Sequence, residues 1–430
     1  MPKDAPPHSD VSAPRPAEAL ELPDHIVLVA KHIGINSGGE AIKAHQFARL
    51  LVENGVKVTV VTHERTVKGL GADQTGQTFH VVEDDGLQRF FWRVKPLRGL
   101  LDIHFHLMAR RLIRRHVARD PKTTLHYIGP VSPVMPRFFP KGYDIVLGPL
   151  TGNIFYPPAF RERMSPEFRN GERFHAVAQK ILGRIFPEKR NRARVVLVSG
   201  YERTRASLRM ARVREEQMVD VVDSGVADRI RNRPRIEHRG PNPRFVCSGR
   251  MVDHKGVDLA IRAVARADPK VTLDVFGDGE KRAEWEALSR ELGLEGRVTF
   301  KGWVASHDDL LDAFENYRGY LFPTLAEANG IVMQEAMMVG MPVITLNWGG
   351  PSMLADKDSA VYVEPLSQDH VLDGLAAAMT RLAEDPDHAE AISKRARRIA
   401  EARFSWEAVA DSWLGACFPP KSEKGASGRA

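Results

Sequence analysis

Cysteine is nearly absent from this chain: Cys247 and Cys417 are the only two among 430 residues. That excludes a disulfide-stapled scaffold and a cysteine-built metal quartet, and it fits a reducing compartment. Cys247 lies inside an apolar stretch and reads as a small core residue. No run of about 18 apolar residues occurs, which leaves no candidate for a spanning helix. The N-terminus has no apolar core of a secretory leader, so a cytoplasmic protein is expected. The Gly-x-Gly-x-x-Gly fingerprint of dinucleotide binding is missing from the first strand–helix turn. Asp-x-Asp strings stand only at Asp356 to Asp358 and Asp385 to Asp387, both in exposed turn or helix-start contexts. No catalytic metal and no cofactor is therefore expected. What remains is ordinary for a globular chain, 43% apolar and 27% charged, with room for two or three domains.

The most informative stretch runs from Gly319 to Gly350. Tyr320 to Phe322 is a short apolar run that stops at Pro323, as a buried parallel strand does. Gly330 opens a helical segment, Ile331 to Val339; Gly340 closes it and Pro342 prevents its continuation. Val343 to Leu346 reads as the next strand, with Gly349-Gly350 at its carboxyl end, where ligands of doubly wound sheets sit. Glu327 precedes the helix and Glu335 lies within it, roughly 12 Å further along a helical path. Such a pair suits two parts of an elongated ligand; a helix cap and a solvated face residue would look the same. The helix mouth, at Asn329, Gly330, Ile331 and Val332, offers free backbone N–H groups and a positive dipole end that suit a diphosphate. Upstream, Arg244 to Ser248 reads as a strand that runs into Gly249-Arg250-Met251-Val252-Asp253-His254-Lys255-Gly256. Arg250 and Lys255 are placed there to clamp a diphosphate, the arginine bidentately and the lysine as a compact charge.

Glu-x7-Glu, followed by Ala-Met and Gly-x-Pro-Val, resembles the donor-site signature of the family 4 retaining glycosyltransferases, and the Gly-Arg…Lys-Gly pattern resembles their phosphate-binding pair. The resemblance runs roughly from Asp24 to Phe418 and is strongest from Gly249 to Gly350. It implies the α/β fold class called GT-B: two Rossmann-like, doubly wound domains facing a cleft, with the C-terminal helix crossing back to the N-domain. It also implies that Glu327 holds a hydroxyl of the donor sugar and Glu335 the ribose. Arg250, Lys255 and the Gly330 helix start would meet the charge of a departing nucleoside diphosphate. Gly302, ahead of Trp303, resembles the loop that lines the base. Gly349-Gly350-Pro351 resembles a further glycine loop, with Met353 where a Glu is frequent. The donor would be a nucleotide-sugar such as a UDP- or GDP-sugar. Transfer would retain the anomeric configuration without a protein nucleophile.

In the N-terminal half, His25 to Ala30 reads as a strand, Glu40 to Asn54 as a helix and Val56 to Thr62 as a second strand. Gly38-Gly39 between them lets a ligand approach the backbone closely, and resembles the family's first glycine loop, which faces the donor phosphates. The strand Thr123 to Gly129 carries His126, either a buried strand histidine or a contact to the acceptor or the transferring sugar. Tyr143 to Leu147 reads as a strand that runs into Gly148-Pro149-Leu150-Thr151-Gly152-Asn153. That loop resembles one in bacterial surface-polysaccharide transferases, except at Thr151 and Asn153. From Arg89 to Lys122 there are ten basic and two acidic residues, a net of +8 against +7 for the whole chain. Phe90, Phe91 and Trp92 are among the interleaved apolar residues. Arg110, Arg111, Arg114 and Arg115 are thus expected on an amphipathic surface facing anionic lipid, or solvated above a packed helix. No nucleic-acid module accompanies the charge, so no nucleic-acid partner is expected.

The expected organisation is a disordered 1–23, an N-terminal acceptor domain over 24–226, a linker over 227–243, a donor domain over 244–403, a crossover helix over 404–418 and a disordered 419–430. The expected activity is transfer of a sugar from a nucleotide-sugar to a polyprenyl-linked or polysaccharide acceptor in cell-surface glycan synthesis. The protein would sit in the cytoplasm or peripherally on the inner face of the cytoplasmic membrane. A sugar-nucleotide epimerase on the same fold and a non-catalytic partner subunit are the other readings.

Overall fold

In the computed structural model, the described residues are 14–35, 39–67, 76–94, 97–129, 132, 137–151, 156–164, 166–185 and 192–421. They divide into two units, each built on one all-parallel sheet. One comprises 13–153, 170–225 and 406–430; the other comprises 154–169 and 226–405.

The first sheet has the order β3-β2-β1-β4-β5-β6-β7. Its strands are β1 (His25–Val29), β2 (Lys57–His63), β3 (Gln77–Val82), β4 (Thr123–Tyr127), β5 (Asp144–Thr151), β6 (Val195–Ser199) and β7 (Met218–Asp220). A parallel sheet is covered on both faces, so its central strands are apolar at nearly every position. In β1, Ile26 and Leu28 join one cluster, with Phe47 and Leu51 of the Gly39–Glu53 helix. Val27 and Val29 join the other, with Phe105 and Ile113 of the Leu100–His116 helix. The last helix, Trp406–Cys417, belongs to this unit. Its Trp413 packs on Phe47, with ring centroids 4.9 Å apart, and donates to the Val222 carbonyl at 2.8 Å. β5 runs on to Thr151, through a register shift between Leu147 and Leu150, where a loop was expected from Gly148.

The second sheet has the order β10-β9-β8-β11-β12-β13. Its strands are β8 (Arg244–Ser248), β9 (Thr272–Phe276), β10 (Val298–Gly302), β11 (Gly319–Phe322), β12 (Val343–Leu346) and β13 (Val361–Val363). Phe245, Leu273, Leu321 and Ile344 from four of these strands form one core with Leu259 and Leu375 from the covering helices.

Three expected boundaries differ. Ala17 and Leu20 are buried in the first unit, because the Ala17 amide donates to Asp411 at 2.9 Å and Leu20 bridges Pro420. Order thus reaches into both terminal stretches expected to lack it; 1–13 and 422–430 lie outside the described residues. The stretch 227–243 packs as part of the second unit and is no free linker. Ile230 and His238 are buried there, His238 meets the Gly340 carbonyl at 3.0 Å, and Arg235 pairs with Glu390 at 2.6 Å. Residues 156–164, expected in the first domain, send Phe160 into the second core, and Arg163 pairs with Asp258 at 2.5 Å.

Candidate functional site

The second unit brings Arg250, Lys255, Glu327, Gly330 and Glu335 to the carboxyl ends of its central strands. The chain leaves β8 through Gly249, and Lys255 closes a short 3-10 turn, Asp253–Lys255, ended by Gly256 in the left-handed conformation at φ 65°. A Cβ on Gly256 would stand 2.2 Å from the Pro323 carbonyl, so only glycine lets this turn lie against the end of β11. The His254 carbonyl then accepts from the Leu325 amide at 2.8 Å and the Thr324 hydroxyl at 3.1 Å, stitching the two loops together.

The stitching places the Lys255 ammonium 2.7 Å from Glu327 Oε2 and 5.8 Å from the centre of the Phe322 ring. Burial pushes the Glu327 carboxyl up, but the Lys255 charge and hydrogen bond, with the Ala328 and Asn329 amides, outweigh it and hold it below the usual range. Glu327 is therefore a half-buried, ionised acceptor. Arg250 is exposed, and its side chain makes no hydrogen bond or ion pair with any described residue. Its guanidinium is available to an anion.

Gly330 N-caps the Ile331–Met338 helix at φ 73°, with its Cβ position 3.6 Å from Glu327 Cγ, so the helix mouth adjoins that carboxylate. Asn329 is not free: its Oδ1 accepts from Gln334 at 3.1 Å. Ile331 is exposed and Val332 half-buried at the first turn. After β12, the Gly350 amide donates to the Glu327 carbonyl at 3.0 Å, and a Cβ on Gly350 would lie 2.0 Å from the Ala328 carbonyl. The glycine pair is thus the surface against which the Glu327 loop is folded. Gly302 ends β10 at φ 76° with its carbonyl engaged by the Gly277 amide at 2.7 Å, and Trp303 beyond it is exposed.

Glu335 lies on the same helix as Gly330, and its Oε2 is 3.3 Å from Nε2 of His307, the first residue of the His307–Ala313 helix. Sequence reading passed over His307, because nothing in the spacing of residues 28 positions apart announces the pair.

In the first unit, Ala30, Lys31, His32, Glu40, Asp102 and Gly129 line a cavity of about 240 Å³ at the ends of β1 and β4. Lys31 and Asp102 pair across it at 2.6 Å. Gly39 begins the adjoining helix, exposed and with open space where a Cβ would be; Gly38 and Asn153 lie outside the described residues. His126 is a core histidine and not a ligand-facing one. It is buried against Phe47 and Trp413, its Nε2 meets the Gly148 carbonyl at 2.8 Å, and burial pushes its pKa down to about 4. Arg111, Arg114 and Arg115 stand exposed on the Leu100–His116 helix. Arg110 turns inward instead: its Nε is buried, and its charge acts on the buried Tyr127 hydroxyl.

The Asp-x-Asp strings also differ from each other. Asp385 caps a helix as expected, accepting from the His388 amide at 2.9 Å. Asp356 is buried and paired with Arg395 at 2.7 Å, not exposed in a turn.

Known proteins share this fold. The chain is similar to the lipopolysaccharide outer core galactosyltransferase WaaB, with a TM-score of 0.62 and 16% identity over 91% of this chain and 99% of that one. It is similar to Anabaena HepE, crystallised with UDP and glucose, with a TM-score of 0.56 and 17% identity over 91% and 98%. Among curated proteins, the lipopolysaccharide core biosynthesis glycosyltransferase LpsD of Rhizobium meliloti is 33% identical over 44% of this chain and 55% of its own. The GDP-mannose-dependent alpha-(1-6)-phosphatidylinositol monomannoside mannosyltransferase of Mycobacterium tuberculosis is 32% identical over 50% and 59%. The chain thus spans about half the length of these curated relatives. The fold is that of the GT-B glycosyltransferases, and the second unit carries the segment, residues 228–399, that matches the family model Glycosyl transferases group 1.

Proposed function

We propose that this protein is a retaining glycosyltransferase of family 4 that moves a sugar from a nucleotide-sugar to a lipid-linked or polysaccharide acceptor, without a metal. The observation that carries the reading is the convergence of the Lys255–Glu327 pair, the exposed Arg250 and the Gly330 helix mouth at the carboxyl ends of the central strands. Fixed cations and a helix dipole there meet the charge that develops on a departing diphosphate. Arg250 engages the phosphate oxygens. Lys255 keeps Glu327 ionised and oriented, so that Glu327 accepts from a donor-sugar hydroxyl. The acceptor hydroxyl attacks the anomeric carbon on the face the diphosphate leaves, and the leaving oxygen takes its proton. Glu335 binds the ribose.

The names of the relatives, lipopolysaccharide core transferases and a phosphatidylinositol mannoside mannosyltransferase, favour an acceptor borne on lipid or polysaccharide. The 240 Å³ cavity with Lys31, Asp102 and Glu40 offers that acceptor's hydroxyls donors and acceptors in the first unit. No helix among the described residues is long and apolar enough to cross a membrane. Contact with an anionic membrane surface is favoured by two features. One is the run of Arg111, Arg114 and Arg115. The other is the Pro166–Ile185 helix, where Phe174, Val177, Ile181 and Ile185 stand exposed at spacings of three and four. Arg184 and Lys180 flank that stripe.

The test incubates the protein with UDP- and GDP-sugars, EDTA and a lipid-extracted acceptor, and reads nucleoside diphosphate release and the anomeric configuration by proton NMR. Transfer with retention supports the reading. Inversion, or product formed only on adding a divalent metal, contradicts it. Conversion of the donor without acceptor would favour the epimerase. For the membrane surface, Phe174→Glu with Ile181→Glu is expected to weaken sedimentation with phosphatidylglycerol vesicles; unchanged sedimentation would remove that part.

A further inference from the structure

The two acids of the donor site are held by different cations. Glu327 faces the Lys255 ammonium; Glu335 faces the His307 imidazole, whose charge changes near physiological pH. We propose that His307 is a positioning residue for the nucleoside end of the donor: it holds one oxygen of Glu335 and leaves the other to accept from the ribose diol, so that it sets the preference for ribonucleoside over 2′-deoxyribonucleoside donors.

The geometry is specific. Glu335 is 12% exposed and His307 37%, so the imidazole covers the carboxylate and remains open to the site. The Nε2–Oε2 separation of 3.3 Å engages one carboxylate oxygen. No other side chain among the described residues bonds Glu335. His307 itself has little freedom. Ser306 N-caps its helix, accepting from the Asp308 amide at 3.2 Å. Arg229 and Arg233 tie the same helix down through Asp308 and Asp312. The charged groups acting on the ring are Glu335 from the neighbouring helix, Asp308 from its own and Arg229 from the Asp228–Arg231 turn. The hydrogen bond and charge of Glu335 outweigh burial and Arg229 and raise the imidazole pKa above 6.5. The imidazolium–carboxylate contact is thus complete in mild acid and fades as pH rises through that raised value. A carboxylate fixed at one oxygen presents the other in one direction, the requirement for reading a diol and not merely a charge.

This inference rests on the donor-site reading above, and the test separates the two. Titration calorimetry compares UDP with 2′-deoxy-UDP, and GDP with 2′-deoxy-GDP, for the wild type, His307→Leu and His307→Asn, with circular dichroism to confirm folding. In the wild type, one ribonucleotide binds about tenfold more tightly than its deoxy counterpart, and this ratio shrinks as pH rises through the imidazole pKa. In His307→Leu the ratio collapses and its pH dependence disappears, while His307→Asn restores part of the ratio without the pH dependence. An unchanged ratio and pH profile in the folded variants would overturn the inference and leave the donor site standing. Tighter ribonucleotide binding by His307→Leu would also overturn it, since the ring would then be occupying the diol's place. If neither nucleotide binds the wild type, both the inference and the donor-site reading fail.

Discussion

The Lys255 ammonium stands 2.7 Å from the Glu327 carboxylate, at the point where the β8 and β11 loops are stitched together. Neither residue keeps its role without the other. Lys255 offsets the cost of burying Glu327, and Glu327 anchors a lysine that would otherwise sample many rotamers. Glu327→Gln is expected to lower kcat by about ten- to a hundredfold and to leave donor KM nearly unchanged, because the bond it removes is strongest in the transition state. Steady-state kinetics checks the split; equal losses in kcat and affinity would contradict the role.

The same pair fixes an acid limb. The folded-state pKa of Glu327 lies below its ordinary value, so its ionised form and the stability it brings persist above that value and are lost as pH falls through the depressed one. The Glu327 contribution to kcat should be flat through neutral pH and fall only as pH drops through that depressed value. Lys255→Met leaves only the Ala328 and Asn329 amides opposing burial and moves the limb to higher pH, which a pH series of kcat reads directly.

Arg250→Ala should weaken binding of a nucleoside diphosphate by about ten- to a hundredfold and leave that of the bare nucleoside unchanged. The melting temperature should not move, since the Arg250 side chain has no described partner to lose. Calorimetry with UDP against uridine, beside a thermal melt, tests both halves.

Glycine at 256 is a steric requirement and glycine at 39 is not. Gly256→Ala forces a Cβ against the Pro323 carbonyl from a left-handed backbone, and should cost about 2 kcal/mol or more while displacing Lys255. Gly39→Ala, at the start of a helix with open space around it, should be neutral or slightly stabilising. Urea unfolding of the two variants distinguishes the positions.

Those two glycines illustrate what sequence could and could not reveal. The second unit was legible because its signals are local: Gly330, Gly340 and Pro342 bound one helix, and the two acids fall within it or one loop away. The difficult positions depend on distant segments. His126 is hidden by Trp413, far along the chain, so its strand gave no hint that a helix seals that face. The stretch 227–243 has the composition of a linker, yet Arg235 and His238 are fixed by Glu390 and the Gly340 carbonyl. Asp356 looks like a turn acid until Arg395 is seen beside it. Arg110 sits in an arginine-rich helix and differs from its neighbours only in the face it occupies.

Two of the buried histidines, one in each unit, weaken the fold in acid. His126 and His238 both have pKa values pushed from 6.5 down to about 4 by burial. A lowered histidine pKa means the neutral ring is favoured in the folded state, so stability is full above 6.5 and declines as pH falls toward 4. Each contributes about 3 kcal/mol to that decline. His126→Leu should lower stability at neutral pH by about 1–3 kcal/mol, because the Gly148 carbonyl loses its donor, and should make the first unit's acid dependence shallower. Thermal melts from neutral pH into the acid range measure both effects.

The most direct test of the account is saturation-transfer NMR of the metal-free protein against UDP-, GDP- and dTDP-sugars, with Arg250→Ala and Glu335→Ala as controls. The account predicts that one ribonucleotide-sugar binds in EDTA, with saturation of both its ribose and its sugar protons, and that both variants lose it. Absence of binding by a folded wild type, or binding that survives both substitutions, would contradict it.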